Sequence, residues 1–451
     1  MSDRPNDKEK GLGRAADRLR SSRSRLRSNQ HRDAHEDAPE SAERAAAKQA
    51  ARAHPLVPGG KATLIDDQAK ADALFARLAG ADRFAFDTEF IGESTYHPKL
   101  CLVQIATADE LALVDPIAGV KLDDFWQLLG NAKIEKIVHA GEQDLEPAMR
   151  LAGVAPQNVF DTQIVGGFCR LPYPASLAKL VEYVTSTQFG GEGVRLGKGL
   201  TFTQWDQRPL SNKQLSYAAD DVRYLLLIAD WLRERLTDGD DGELRHAWAV
   251  AECAARAADA VEPAGEPWER VKGGGSLDGR QQAILRRLAV WRDQAAQDED
   301  LPPRVLVQDQ ALIHLARRGI TDPARLNDVK YLPRPVSERY GMAIIEQVKA
   351  GKADDAVAVQ RGAPIEPTLE DRFVADSAWA MLQTIAHIRG MDPNLIASRR
   401  ETEWFVRRVA AGSRVEEHPL MQGWRRDAVG DRLLDLLGGG SLTVQWPGQS
   451  Q

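Results

Sequence analysis

The sequence predicts a mixed α/β domain, a sheet with flanking helices, followed by a half that is helical throughout. Three observations predict it. Short apolar segments, "FAFDTEFI" (84–91), "LCLVQIAT" (100–107) and "LALVD" (111–115), follow one another quickly enough to form an antiparallel meander. Strand and helix patterns then alternate: a helix near Leu122 to Leu129, the strand "KIVHA", a helix from Glu142 and the strand "NVFD". From Arg280 onward, apolar residues recur at helical spacing with Pro-containing turns and no strand pattern. Ser211 to Leu236 reads as one helix, with Ser211 as N-cap and Leu215, Val222, Leu225, Leu226 and Ala229 as its apolar face.

Composition narrows the function classes. At 451 residues the chain has length for about three domains. No run of about 18 apolar residues occurs, so no membrane helix is expected. Three cysteines without a CxxC exclude a disulfide scaffold and a cysteine zinc site, and fit a reducing compartment such as the cytoplasm. A net charge of -7 excludes a generally basic nucleic-acid binder but not a local groove for nucleic acid. The stretch before residue 54 has 13 Lys and Arg against 9 Asp and Glu and almost no large apolar residues. It reads as a disordered tail over 1–55, with neither a secretory h-region nor the acid-poor composition of a transit peptide.

The carboxylates carry the chemistry. Asp87 and Glu89 sit at i and i+2 of an otherwise apolar strand, so they share one face of the sheet. Asp144 in "HAGEQDL" follows a strand end where a helix starts. Tyr217 and Asp221 at i and i+4 share a helix face. An acid-x-acid pair alone decides nothing in a chain with 66 acids, and each residue has a plainer account. Asp87 and Glu89 could lie on a solvated strand edge, Asp144 could complement a helix dipole, and Tyr217 could simply pack. Converging, the four acids would repel and call for a hard divalent cation, Mg²⁺ or Mn²⁺.

The segments "FAFDTEFI", "YHPKLCLVQIA", "KIVHAGEQDLEPAMRLAG", "NVFDTQI" and "QWDQRPLSNKQLSYAADDVRYLL" resemble ribonuclease D, a family of DEDD exonucleases whose last motif carries tyrosine. The resemblance covers nearly all of 61–235. It implies a ribonuclease-H-like fold, two divalent metal ions and 3′ to 5′ exonucleolysis releasing nucleoside 5′-monophosphates. It implies Asp87, Glu89, Asp144 and Asp221 as metal ligands and Tyr217 as the residue orienting the attacking water; Asp220 would point off that helix face. His139 reads as a satisfied structural histidine. Gln104 and His97 could approach a terminal nucleotide or be surface groups. Arg195 and Lys198 lie in a Gly-rich loop, and Arg208 in "QRPLS" is a candidate for phosphate contact or for a salt bridge at the helix start.

The helical half resembles two helicase-and-RNase-D C-terminal (HRDC) domains, the second with weaker motif identity. The expected organisation is exonuclease domain 61–236, helical connector and Gly-rich linker 237–279, first bundle 280–351, linker 352–367, second bundle 368–440 and a tail 441–451. Arg399, Arg400, Arg407, Arg408, Arg425 and Arg426 form basic pairs read as RNA contacts, whereas Trp404 and Trp424 read as core residues. The expected protein is a monomeric cytoplasmic exoribonuclease trimming transfer-RNA precursors, with no membrane partner. A DNA exonuclease of the same class, or a catalytically silent RNA-binding scaffold, are the alternatives.

Overall fold

The computed structural model describes residues 41–92, 95–197, 204–261, 265–357 and 368–441. These form two compact units: one holds the described residues of 92–99 and 264–361, the other those of 41–91, 100–263 and 362–451. Among the described residues no helix is long and apolar enough to cross a membrane.

The larger unit opens with a difference from expectation. Helix α1 (Ala42–Arg52) starts at the N-cap Ser41 and buries Ala47 and Ala51, where the sequence reads as part of a disordered tail. Its alanines are strong helix formers, and a small-residue face docks without large apolar side chains. Arg44 fixes it by an ion pair to Glu192 at 2.5 Å. Residues 1–40 lie outside the described residues.

Strand β1 (Thr63–Ile65) and α2 (Gln68–Ala79, capped by Asp67) precede β2 (Arg83–Ile91), β3 (Lys99–Ala106) and β4 (Leu111–Val114). Then come α3 (Asp123–Leu129), β5 (Glu135–Val138), α4 (Glu142–Ala152), β6 (Val159–Asp161), α5 (Thr162–Phe168) and α6 (Leu177–Phe189). The six strands lie in the order β1-β4-β3-β2-β5-β6. β3 and β4 are antiparallel, pairing Gln104 with Leu113, whereas β2–β5, β5–β6 and β1–β4 are parallel. Thus the sheet is mixed, with Phe84, Phe86, Val103 and Ile105 buried on one face and Ala85 and Ala106 on the other.

The expected 211–236 helix is two: α7 (Asn212–Arg223) and α8 (Leu225–Leu236). Ser211 and Gln214 form a reciprocal cap at its start. The break falls at Tyr224, whose N–H turns to the Val222 carbonyl. Next to it, buried Arg223 donates to the carbonyl of Pro58, a tertiary contact that periodicity does not reveal.

Helix α9 (Gly242–Val261) is a flank of the nuclease rather than a connector: Trp248, Ala249, Glu252, Cys253 and Ala257 are buried against α4, α5 and α8. In the smaller unit, the glycine run is likewise ordered. Gly273 takes a left-handed conformation (φ 94°), Leu277 is buried, and Asp278 caps α10 (Gly279–Asp298). Helices α11 (Pro303–Leu306), α12 (Asp309–Arg318) and α13 (Arg334–Ala353) complete this bundle around Leu285, Leu288, Leu312, Leu315 and Ile344.

The second bundle comprises α14 (Leu369–Ile388), α15 (Pro393–Ile396), α16 (Arg399–Ala410) and a last helical run over 423–437. Its Leu382, Leu395, Phe405 and Trp424 share one continuous core with Phe168, Leu232 and Trp248 of the nuclease.

Candidate active site

The site lies between β2 and the helices packed over it. Ala85 of β2 packs beneath α7 and α8 with Ala219, Val222 and Leu225. Strand alternation therefore turns Asp87 and Glu89 to the same side, toward α7. Helix α7 brings Tyr217 and Asp221. Asp144 enters from the first turn of α4, which follows β5, the strand paired with β2. The Thr88 hydroxyl donates to the buried Asp144 carboxylate.

Burial and mutual repulsion raise all four acids. Burial, then Asp144, Asp221 and Glu89, push Asp87 well above the usual carboxylate range. Burial, with Asp221 and Asp144, raises Glu89 to about 8. Asp144 rises to about 6 through burial, opposed by the Thr88 hydrogen bond. Asp221 rises to about 7 through burial and the charge of Asp220, although Tyr217 donates to it. Burial and these same acids push the Tyr217 phenol upward, so it stays protonated at neutral pH. Asp220 turns away and accepts from Arg223 Nε at 2.7 Å.

Four carboxylates without thiol or imidazole form a hard donor set that suits Mg²⁺ or Mn²⁺. Their mutual repulsion is the charge deficit that divalent cations relieve. Among the described residues no three His, Cys, Asp or Glu side chains stand as a ready-made metal cage.

The raised carboxyls set a sign. Each folded-state value lies above the ordinary one, so their stabilising contribution is complete below about pH 4 and is lost as pH rises through 6 to 8. With EDTA present, the melting temperature should carry a penalty that grows from pH 5 to pH 8. Added Mn²⁺ should raise it more at pH 8 than at pH 5. Equal Mn²⁺ shifts at both would contradict this.

Trp205, absent from the sequence reading, buttresses the site. It is buried, 6.2 Å from the Tyr217 ring, and packed with Leu210 and Ala218. Its only signal was its place just before the α7 cap. His139 is satisfied as expected, with Nδ1 on the Thr162 hydroxyl and Nε2 on the Ala175 carbonyl.

Several candidate RNA contacts have other partners. Gln104 is fully buried in β3 and cannot reach a nucleotide as a surface group. Arg208 grips Asp115 through two 2.5 Å bonds and donates to the Cys101 and Trp205 carbonyls, so its guanidinium anchors the loop before α7 instead of phosphate. Arg425 forms a bidentate pair with buried Glu252. Arg399 pairs with Asp376 and Arg426 with Asp431. Arg195 and Arg400 are exposed, and Lys198 lies outside the described residues. Trp424 is buried as expected, but Trp404 is 48% exposed. Its ring lies 4.6 Å from that of His418, tilted by 40°, and lines a surface cavity with Arg400 and Arg407.

The fold and this cluster define a class, the 3′–5′ exonucleases. A family model described as 3'-5' exonuclease matches residues 62–237, and an HRDC domain model matches 281–348. Ribonuclease D of Bartonella henselae is 32% identical over 384 residues, covering 83% of this chain and 90% of that relative. Ribonuclease D of Zymomonas mobilis is 34% identical over 394 residues, covering 83% and 94%. The crystal structure of Escherichia coli RNase D, an exoribonuclease involved in structured RNA processing, matches with a TM-score of 0.70 at 26% identity, over 84% of this chain and 99% of that one. The chain belongs to the ribonuclease D family. Exonucleases of this fold depend on divalent metal.

Proposed function

We propose that the chain is a metal-dependent 3′ to 5′ exoribonuclease that releases nucleoside 5′-monophosphates and trims structured RNA, transfer-RNA precursor 3′ ends in particular. Its curated relatives are ribonucleases D over most of their length. What supports the site reading is the placing of Asp87 and Glu89 on the face of β2 beneath α7, which carries Tyr217 and Asp221, with Asp144 entering from the helix after the neighbouring strand. These four acids would hold two ions, Mg²⁺ or Mn²⁺. When bound, the ions supply the charge that clamps a scissile phosphate and makes water nucleophilic near neutral pH.

The chain's own groups do the rest. The raised Tyr217 phenol stays protonated and so cannot serve as a base; with its O–H given to Asp221, its oxygen accepts from and orients the attacking water. Trp205 and the Asp221 carboxylate fix its ring and hydroxyl. Tyr217→Phe should therefore lower kcat by roughly tenfold or more, with KM unchanged, because it removes an interaction made mainly in the transition state.

RNA grip is assigned to the first bundle. Lys272, His314, Arg317 and Arg318 line a groove of about 470 Å³ that, among the described residues, no acidic side chain lines. Arg317→Glu with Arg318→Glu should raise KM for a long RNA and flatten the salt dependence of binding by about two counterions. Turnover of a dinucleotide should not change.

The decisive experiment offers 3′-extended RNA and the same sequence as DNA, each with Mn²⁺ or with EDTA. Stepwise RNA shortening, abolished by EDTA and by Asp87→Asn, is the expected result. Faster loss of DNA would indicate a DNA exonuclease, and binding without shortening would indicate a silent scaffold. A single chain should suffice, acting in the cytoplasm.

A further inference from the structure

Gln104 is a strand residue near the site whose chemistry and surroundings conflict. It is fully buried, yet among the described residues neither its amide oxygen nor its amide nitrogen has a hydrogen-bond partner. Native interiors rarely tolerate an amide left open at both ends, and each such group calls for an explanation.

Its place in the sheet supplies one. β3 lies beside β2. A short connection over 92–98 joins the two strands, so they run as a hairpin. Ala85 of β2 and Ala106 of β3 pack into the same cluster beneath α7 and α8. Two residues along each strand, toward their connection, come Asp87 and Gln104, on that same face. Across the sheet Gln104 pairs with Leu113, which packs with Trp205 and Ala218 under α7. The open amide therefore lies on the sheet face that α7 covers, the face that carries Asp87. It is sealed from solvent and from substrate.

We propose that Gln104 is a positioning residue: its buried, unpartnered amide, on the sheet face that carries Asp87, would hold the Asp87 carboxylate in place as a metal ligand. This rests on the reading of the four acids as the metal site. An amide N–H₂ donates to a carboxylate and cannot itself take up or lose a proton, so it orients Asp87 without adding charge to a crowded cluster. Metal sites commonly owe their ligand geometry to such outer partners.

Leucine tests this, since it matches glutamine in size and carries neither donor nor acceptor. If Gln104 only fills the core, Leu should be as good or better, because it removes two orphaned polar atoms. If Gln104 positions Asp87, Gln104→Leu should melt at the same or a higher temperature. It should bind Mn²⁺ about 10- to 100-fold more weakly by calorimetry and lose kcat in similar proportion, with KM for RNA unchanged. Native Mn²⁺ affinity and native kcat in Gln104→Leu overturn the proposal. Should Gln104→Leu fail to fold, Gln104→Met is read in the same way. Asp87→Asn is the reference: if it too binds Mn²⁺ like the native chain, the metal-site reading itself falls and takes this inference with it.

Discussion

Asp87→Asn is expected to lower turnover by about 10³-fold or more while leaving the metal-free protein at least as stable as the native one. The two halves have one cause. Asp87 is pushed up by burial and by three other acids, so the folded state pays for every charge it keeps there. An amide of the same shape removes one charge from the cluster and eases its neighbours. The same change takes away a ligand whose cations are worth several kcal/mol to the transition state, at 1.36 kcal/mol per decade of rate. Turnover of labelled RNA with Mn²⁺ and thermal melting with EDTA measure the two halves. A variant that stayed active, or that melted well below the native chain without metal, would contradict the account.

Glu252→Leu is expected to destabilise the larger unit by about 3–5 kcal/mol, the usual effect of stranding a buried charge. Glu252 has 4% of its side chain exposed and accepts from Arg425 at 2.7 and 2.8 Å and from the Trp424 indole at 2.7 Å. Burial would raise its carboxyl; Arg425, Trp424 and Arg256 outweigh that and hold it at about 2. Because the folded value lies below the ordinary one, this contribution is present above about pH 4 and is lost as pH falls toward 2. Urea unfolding at pH 7 should show the loss, and the gap between native and variant should narrow between pH 5 and pH 3. Adding Arg425→Met to Glu252→Leu should recover much of the stability, since neither charge is then stranded. A double variant as weak as the single would show that packing around Trp424 dominates.

Much of this site was legible in the sequence because period and spacing encode faces. Asp87 and Glu89 share a strand face, and Tyr217 and Asp221 share a helix face; in the structure that strand and that helix pack against each other. Asp220 was separable from Asp221 by helical rotation alone, and its bond to Arg223 agrees. What spacing does not encode is the partner of a long-range charge. Arg208 looked available for phosphate until its Asp115 appeared 93 residues away, and Arg425 until Glu252 appeared 173 residues away. Gln104 was misplaced for a related reason. A polar residue in a half-apolar strand reads as exposed unless a helix is known to cover it. Ala42 to Arg52 escaped notice because alanine faces carry too little hydrophobicity to stand out from a polar tail.

The apolar interior running without a seam from Phe168 and Trp248 to Leu382 and Trp424 limits how this chain can be dissected. A catalytic fragment ending after α9 would bare those aromatic faces to water and be prone to clump. The terminal bundle thus acts as a keel for the enzyme, and removing it would forfeit the hull as well.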